Sequence, residues 1–328
     1  MKKFLACAIF FLFIVIDVIP SVPSTQNLGR HVITVDDEPG DADYISIKEA
    51  LNHSSPGDII EVFSGTYKEH AINITNRDIS LIGIPHELGN GSDTGKPFIN
   101  GQGRGDVIDV KAPNTTISGF RMENRGPGFY DAILIPYNTD GCIIYNNTLC
   151  YSEYSIVECY SNNTKIINNT IKYAGMRYGI LLRKWSNNLV MNNIIDRCPT
   201  GICIWGGVYD TISGNRISNC SQYGIDFGGG GYNTCQFNTI ENNAYGVHLY
   251  EDMHNHIKQN NFINNTIQAG HFHSLQFTHG DRWSQNYWNK PHKLPYPIVG
   301  RVFMFMPWVQ FDWRPAQTPY EITPSING

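Results

Sequence analysis

Apolar residues along this chain come in short bursts separated by Asn, Gly, Ser and Thr. The bursts are rich in Ile and Val, which favours strands, and the spacers favour turns. They also keep a period. An Asn, one residue, then an apolar residue recurs as Asn147/Leu149, Asn169/Ile171, Asn193/Ile195, Asn215/Ile217, Asn238/Ile240 and Asn260/Phe262, at intervals of 22, 24, 22, 23 and 22 residues. A second series advances with it: Asp131-Ala-Ile133, Tyr154-Ser-Ile156, Tyr178-Gly-Ile180, Thr200-Gly-Ile202, Tyr223-Gly-Ile225 and Tyr245-Gly-Val247. Two marks moving at one period indicate a structural repeat.

The period selects the architecture. The Leu frame of a leucine-rich repeat is missing, and helical repeats are longer and use helix formers. The pattern predicts an all-β fold, a single-stranded right-handed parallel β-helix whose coils stack about 4.8 Å apart. Asn147, Asn169, Asn193, Asn215, Asn238 and Asn260 then form one column, which predicts an amide ladder. Upstream, residues 44–52 read as a short amphipathic helix capping the open end of the solenoid. Before it lies an acidic loop with Asp36, Asp37, Glu38, Asp41 and Asp43. Calcium or plain solvation suits that loop, and the spacing is not that of an EF-hand. Residues 85–105 interrupt the repeat with a Gly-rich loop that no helix follows, so its glycines form no nucleotide cradle. Residues 283–328 hold four of the six tryptophans and many prolines. The expected organisation is a signal peptide at 1–24, a β-helix at 31–282, and an aromatic, Pro-rich extension at 283–328 packing on it.

Charge and cysteines narrow the setting. Net charge is −5, so a basic footprint for nucleic acid is missing. Lys2 and Lys3 precede the apolar run 4–16, as in a secretory signal. The expected location is secreted or cell-surface, with a membrane contact only through an uncleaved signal anchor. Nine Asn-x-Ser/Thr sequons make glycosylation feasible. Seven cysteines remain beyond the signal, an odd number. Cys198 and Cys220 each fall five residues after a ladder Asn. They are expected to stack, as a disulfide or as a pair of reduced thiols.

Alternation along the Tyr-Gly-Ile strand sets side-chain direction. Ile133, Ile156, Ile180, Ile202, Ile225 and Val247 are expected inward, and so are Ile135, Glu158, Leu182, Ile204, Phe227 and Leu249. Glu158 breaks its column, and a register slip explains that without a buried charge. The outward column reads Leu134, Val157, Leu181, Cys203, Asp226, His248 and, a coil later, His271. The next reads Cys159, Arg183, Trp205, Gly228, Tyr250 and His273. Arg183, Trp205, Asp226, His248 and Tyr250 form a polar-aromatic patch suited to a polysaccharide or surface glycan. Cys203, Asp226, His248, His271 and His273 offer a second reading, a metal site, since imidazole and thiolate suit copper. Residues 138–141 (Asn-Thr-Asp-Gly) look like the first acidic motif of polygalacturonase-type glycosidases. The partner carboxylates of a two-carboxylate mechanism do not follow, so a turn is expected there and catalytic residues stay unassigned.

The run SIKEALNHSSPGDIIEVFSGTYKE (46–69) with INITNRDISLIG (72–83), followed by the repeats, resembles the NosD-like members of the pectin-lyase-like β-helix superfamily. Asn286-Tyr-Trp288 and Thr318-Pro-Tyr320-Glu-Ile322 resemble the terminal motif of archaeal-type secreted members. The resemblance covers roughly residues 31–322 and implies the fold more strongly than the activity. Such proteins include carbohydrate-processing enzymes, surface proteins and a copper-site accessory protein. The expected function is non-catalytic polysaccharide binding on the lateral face. A lyase or hydrolase on the same face and a copper-related accessory role are the alternatives, with calcium or copper the possible ions.

Overall fold

The computed structural model describes residues 30–322, apart from 90, 185, 275–279 and 304. The expected signal peptide lies outside the described residues. The rest is a parallel β-solenoid of about 11 turns with almost no helix.

Each regular coil contributes three short strands. The first face stacks the strands Ile133–Ile135, Val157–Cys159, Tyr178–Arg183, Thr200–Trp205, Tyr223–Gly228, Tyr245–Tyr250 and Ile267–His273. The second runs through Leu189–Met191, Thr211–Ser213, Thr234–Gln236 and His256–Lys258, and the third through Ile194–Asp196, Arg216–Ser218, Thr239–Glu241 and Asn261–Ile263. All these columns pair in parallel. The inward side chains Ile180, Ile202, Ile225 and Val247 are fully buried. The small residue in Tyr-Gly-Ile has a steric reason. A Cβ on Gly179 would fall 2.7 Å from the Gly201 carbonyl oxygen on the next rung.

The Asn ladder forms as expected. The Oδ1 of Asn215 accepts the Asn193 backbone N–H at 2.9 Å and its side-chain amide at 3.0 Å, and Asn215 repeats both bonds to Asn238. The ladder runs from Asn147 through Asn260 and beyond, to Asn286 and finally Asp312. Buried amides are thus satisfied rung by rung, and each link ties a coil to the next. A second ladder, through Asn188, Asp210, Asn233, Asn255 and Asp281, runs along another bend. Residues 138–141 are a structural turn, with Asp140 accepting the Asn162 backbone N–H at 2.9 Å.

The N-terminal helix is Ile47–His53, shorter than expected. Ser46 accepts the Glu49 N–H as its cap, and Glu69 accepts the Ile47 and Lys48 N–H groups at 2.9 and 3.1 Å. Its buried Ile47, Ala50 and Leu51 cover the first strands. At the other end, Arg282–Ser284 and Tyr287–Trp288 still belong to the coil columns, past the expected boundary at 282. An antiparallel hairpin, Tyr296–Val302 with Met306–Asp312, then lies on the last coil through pairing with Ile267–His273.

Candidate functional site

Outward positions on the first face form a continuous strip. The observed register places Leu134, Glu158, Leu181, Cys203, Asp226, His248 and Gly270 in one column. Glu158 therefore points outward, and Val157 takes the inward place read for Ile156. Strand pairing has period two, so a slip of one residue exchanges the faces.

The same slip corrects two histidines. The step from Val247 is 22 residues, to Ala269, so His271 pairs with Leu249 and Phe272 with Tyr250. His271 and His273 turn inward and are buried. They stand on the other side of the sheet from Asp226 and His248, so Cys203, Asp226, His248, His271 and His273 do not converge.

The carbohydrate candidates do share the outer face. Arg183, Trp205, Gly228, Tyr250 and Phe272 form one column and Asp226 with His248 the adjacent one. Trp205 is 46% exposed and Tyr250 43%. Gly228 leaves the space between them open, where a Cβ would lie 3.5 Å from the Trp205 ring. Asp226 Oδ1 lies 2.8 Å from His248 Nδ1, and the imidazole stacks on Tyr223 at 4.8 Å. Tyr250 stacks on Phe272 at 5.4 Å. Cys203 sits at the floor, fully buried, and burial pushes its thiol up. Beyond His248 the strip opens into a cavity of about 780 Å³ bounded by Tyr245, Phe272, Tyr296 and Arg301.

At its lower end the strip carries a group that the repeat pattern does not reveal. The Tyr160 hydroxyl donates to Glu158 Oε1 at 2.6 Å and accepts from Arg183 Nη1 at 2.9 Å. Asp131 Oδ1 accepts the Ser155 N–H at 3.0 Å, and the Asp131 backbone N–H donates to Asp106 at 2.7 Å. Burial, then the Glu158 charge, pushes Asp131 up to about 9. That shift favours the protonated form of Asp131 at neutral pH. Burial also pushes Tyr160 up to about 12. Two carboxyl groups, a phenol and a guanidinium thus stand together beside the aromatic strip.

The profile of the periplasmic copper-binding protein (NosD) family matches residues 90–304. This chain belongs to the NosD family. No curated protein matches it. Among solved structures, XylC with xylose is similar at a TM-score of 0.59 and 13% identity, over 86% of this chain and 73% of that one. The alginate lyase AlyF-OU02 is similar at 0.55 and 18% identity, over 85% of this chain and 62% of that one. A PL6 alginate lyase complex with trisaccharide gives 0.53 and 16% identity, over 80% and 61%. The chain spans less than two thirds of either lyase, and at these identities the likeness is one of fold.

The NosD description raises copper, which prefers convergent imidazole and thiolate donors. Among the described residues, the sets of three or more close metal-binding side chains are all carboxylates, at Asp36, Asp37, Glu38, Glu87 and Asp93. His248 Nδ1 is engaged by Asp226, and Cys203 is a buried neutral thiol. Among the described residues, the lateral face therefore does not fit a copper centre. Cys198 and Cys220 occupy equivalent buried positions on neighbouring coils, and both are free thiols.

Proposed function

We propose that this NosD-family protein binds a polysaccharide along the first face, outside the cell or in the periplasm, and does so without turning it over. The observation that carries the reading is the pair of exposed rings, Trp205 and Tyr250, two rungs apart with Gly228 between them. Two rungs span about 10 Å, so a chain lying along the solenoid meets successive stacking surfaces. Arg183 and the Asp226–His248 pair flank the rings and supply partners for carboxylate or hydroxyl groups. The carbohydrate-active proteins among the structural neighbours support the reading only at the level of fold.

Affinity electrophoresis through gels containing acidic or neutral polysaccharides tests it. Retardation of the wild type in at least one polysaccharide is expected, with loss in the Trp205→Ala/Tyr250→Ala double variant. Equal mobility of the two proteins in every gel would exclude this face.

A second reading is favoured by the Asp131–Glu158–Tyr160–Arg183 group. A carboxyl group pushed up by burial beside a second carboxyl suits general acid–base chemistry on a sugar. Release of reducing ends or unsaturated products by wild type, lost in Glu158→Gln, would favour catalysis over binding alone.

A further inference from the structure

We infer that the N-terminal end of the solenoid holds a calcium-class divalent cation, ligated by carboxylate oxygens of Asp36, Asp37, Glu38, Glu87 and Asp93. The ligands come from two places. Asp36 follows the strand Val32–Val35, and its backbone N–H is held by the Tyr44 carbonyl. Glu87 and Asp93 lie in the loop pinched by the His86–Thr94 bridge, where Glu87 Oε2 accepts the Asp93 N–H at 3.0 Å. Folding brings the two segments together. One ligand oxygen from each of Asp36, Asp37 and Glu38 lies within 4.8 Å of the others, and the same holds for Glu38, Glu87 and Asp93. Oxygens bound to one calcium at about 2.4 Å stand within such a distance of each other.

Exposed acidic groups often cluster without an ion, and Asp93 is exposed here, but Asp36 is buried and individual oxygens of Asp37 and Glu38 are too. Asp36 is fully buried, one of its oxygens accepts the Asp37 N–H at 3.1 Å, and the other, Oδ2, has no hydrogen-bond partner. Asp37 spends Oδ2 on the Thr66 N–H at 3.0 Å, while its Oδ1 is buried without a partner, as is Glu38 Oε2. Among the described residues, no Lys or Arg forms a salt bridge with any of the five carboxylates. Buried, like-charged oxygens facing one another need a proton or a cation between them. Glycine makes room for the arrangement. A Cβ on Gly65 would fall 1.8 Å from Asp37 Oδ1, and one on Gly91 2.4 Å from the Glu87 carboxyl carbon.

The donor set decides the ion. All-oxygen, carboxylate-rich and irregular coordination suits calcium, whereas magnesium requires tighter octahedral geometry and copper softer donors. Bound there, the ion ties Glu87 and Asp93 to the segment that follows the first strand. The site is separate from the glycan face and stands or falls independently of it.

The test uses the full chain stripped with EDTA and titrated with calcium chloride, read by calorimetry and by thermal unfolding. One calcium per chain is expected, with Tm raised by about 5 °C at saturation. Glu87→Gln/Asp93→Asn removes both effects. Asp36→Asn removes the calcium response yet raises Tm of the stripped protein at pH 8, because one buried repulsion is gone. The inference is overturned if wild type binds no calcium at millimolar concentration and unfolds identically with EDTA. It is equally overturned if the calcium response survives in Glu87→Gln/Asp93→Asn.

Discussion

Asp312 accepts both the backbone N–H and the side-chain amide of Asn286 on one oxygen, at 2.8 and 3.1 Å. A carboxylate from the C-terminal hairpin therefore terminates an amide ladder that began at Asn147. The same Oδ2 accepts Trp288 Nε1 at 3.1 Å, and Oδ1 accepts the Gln285 and Arg314 N–H groups at 3.1 Å each. An acceptor-only side chain is the right end for a column in which every rung donates upward.

Asp312→Ala leaves these buried donors without an acceptor. A loss of about 3 kcal/mol is expected, with faster amide exchange across residues 282–312. Asp312→Asn keeps one acceptor oxygen and should lose less. Denaturant unfolding of the two variants checks the order.

The second ladder predicts a pH dependence. Asp210 stands among asparagines, with Oδ2 buried and without a hydrogen-bond partner. Burial pushes it up to about 7, and Asp281 likewise to about 7. Their folded-state values lie above the unfolded one near 3.8, so the folded state binds more protons in between. Their contribution to stability is full below pH 4 and is lost as pH rises through 7. Asp210→Asn, which extends the amide ladder, should raise stability at pH 8 by on the order of 2 kcal/mol. The gain should vanish near pH 4. Urea unfolding of both proteins at the two pH values checks the sign.

The stacked thiols give a third expectation. Burial pushes Cys198 up to about 12 and Cys220 further. A thiol reagent at pH 8 should leave both unmodified in the folded protein and label both after unfolding. Mass mapping of a disulfide between them would show that the oxidised form is the mature one.

The repeat is legible because Asn and the Tyr-Gly-Ile signature recur every 22 to 24 residues and each has a structural cause. The ladder's last two members escape the pattern because their steps, Asn260 to Asn286 and Asn286 to Asp312, are 26 residues each. Loops longer than the period carry no mark of their register. Inside the period, steps that vary between 22 and 24 residues leave the register open, so periodicity alone puts His271 and His273 outside and Glu158 inside, since one residue of slip reverses a strand. Asp131 reads in the sequence only as a strand-start position, and nothing there signals its meeting with Glu158 on the next coil. Asp36 and Glu87 meet across an irregular loop, where no periodicity connects them.

A glycan lying on the first face should be visible crystallographically. A crystal structure of the chain soaked with oligosaccharides from the polysaccharide that retards it tests this directly. Sugar rings stacked on Trp205 and Tyr250, with Arg183 or Asp226 bonded to their substituents, are predicted. Sugar bound only elsewhere, such as against Trp313 of the C-terminal tail, with the first face bare, would contradict the account.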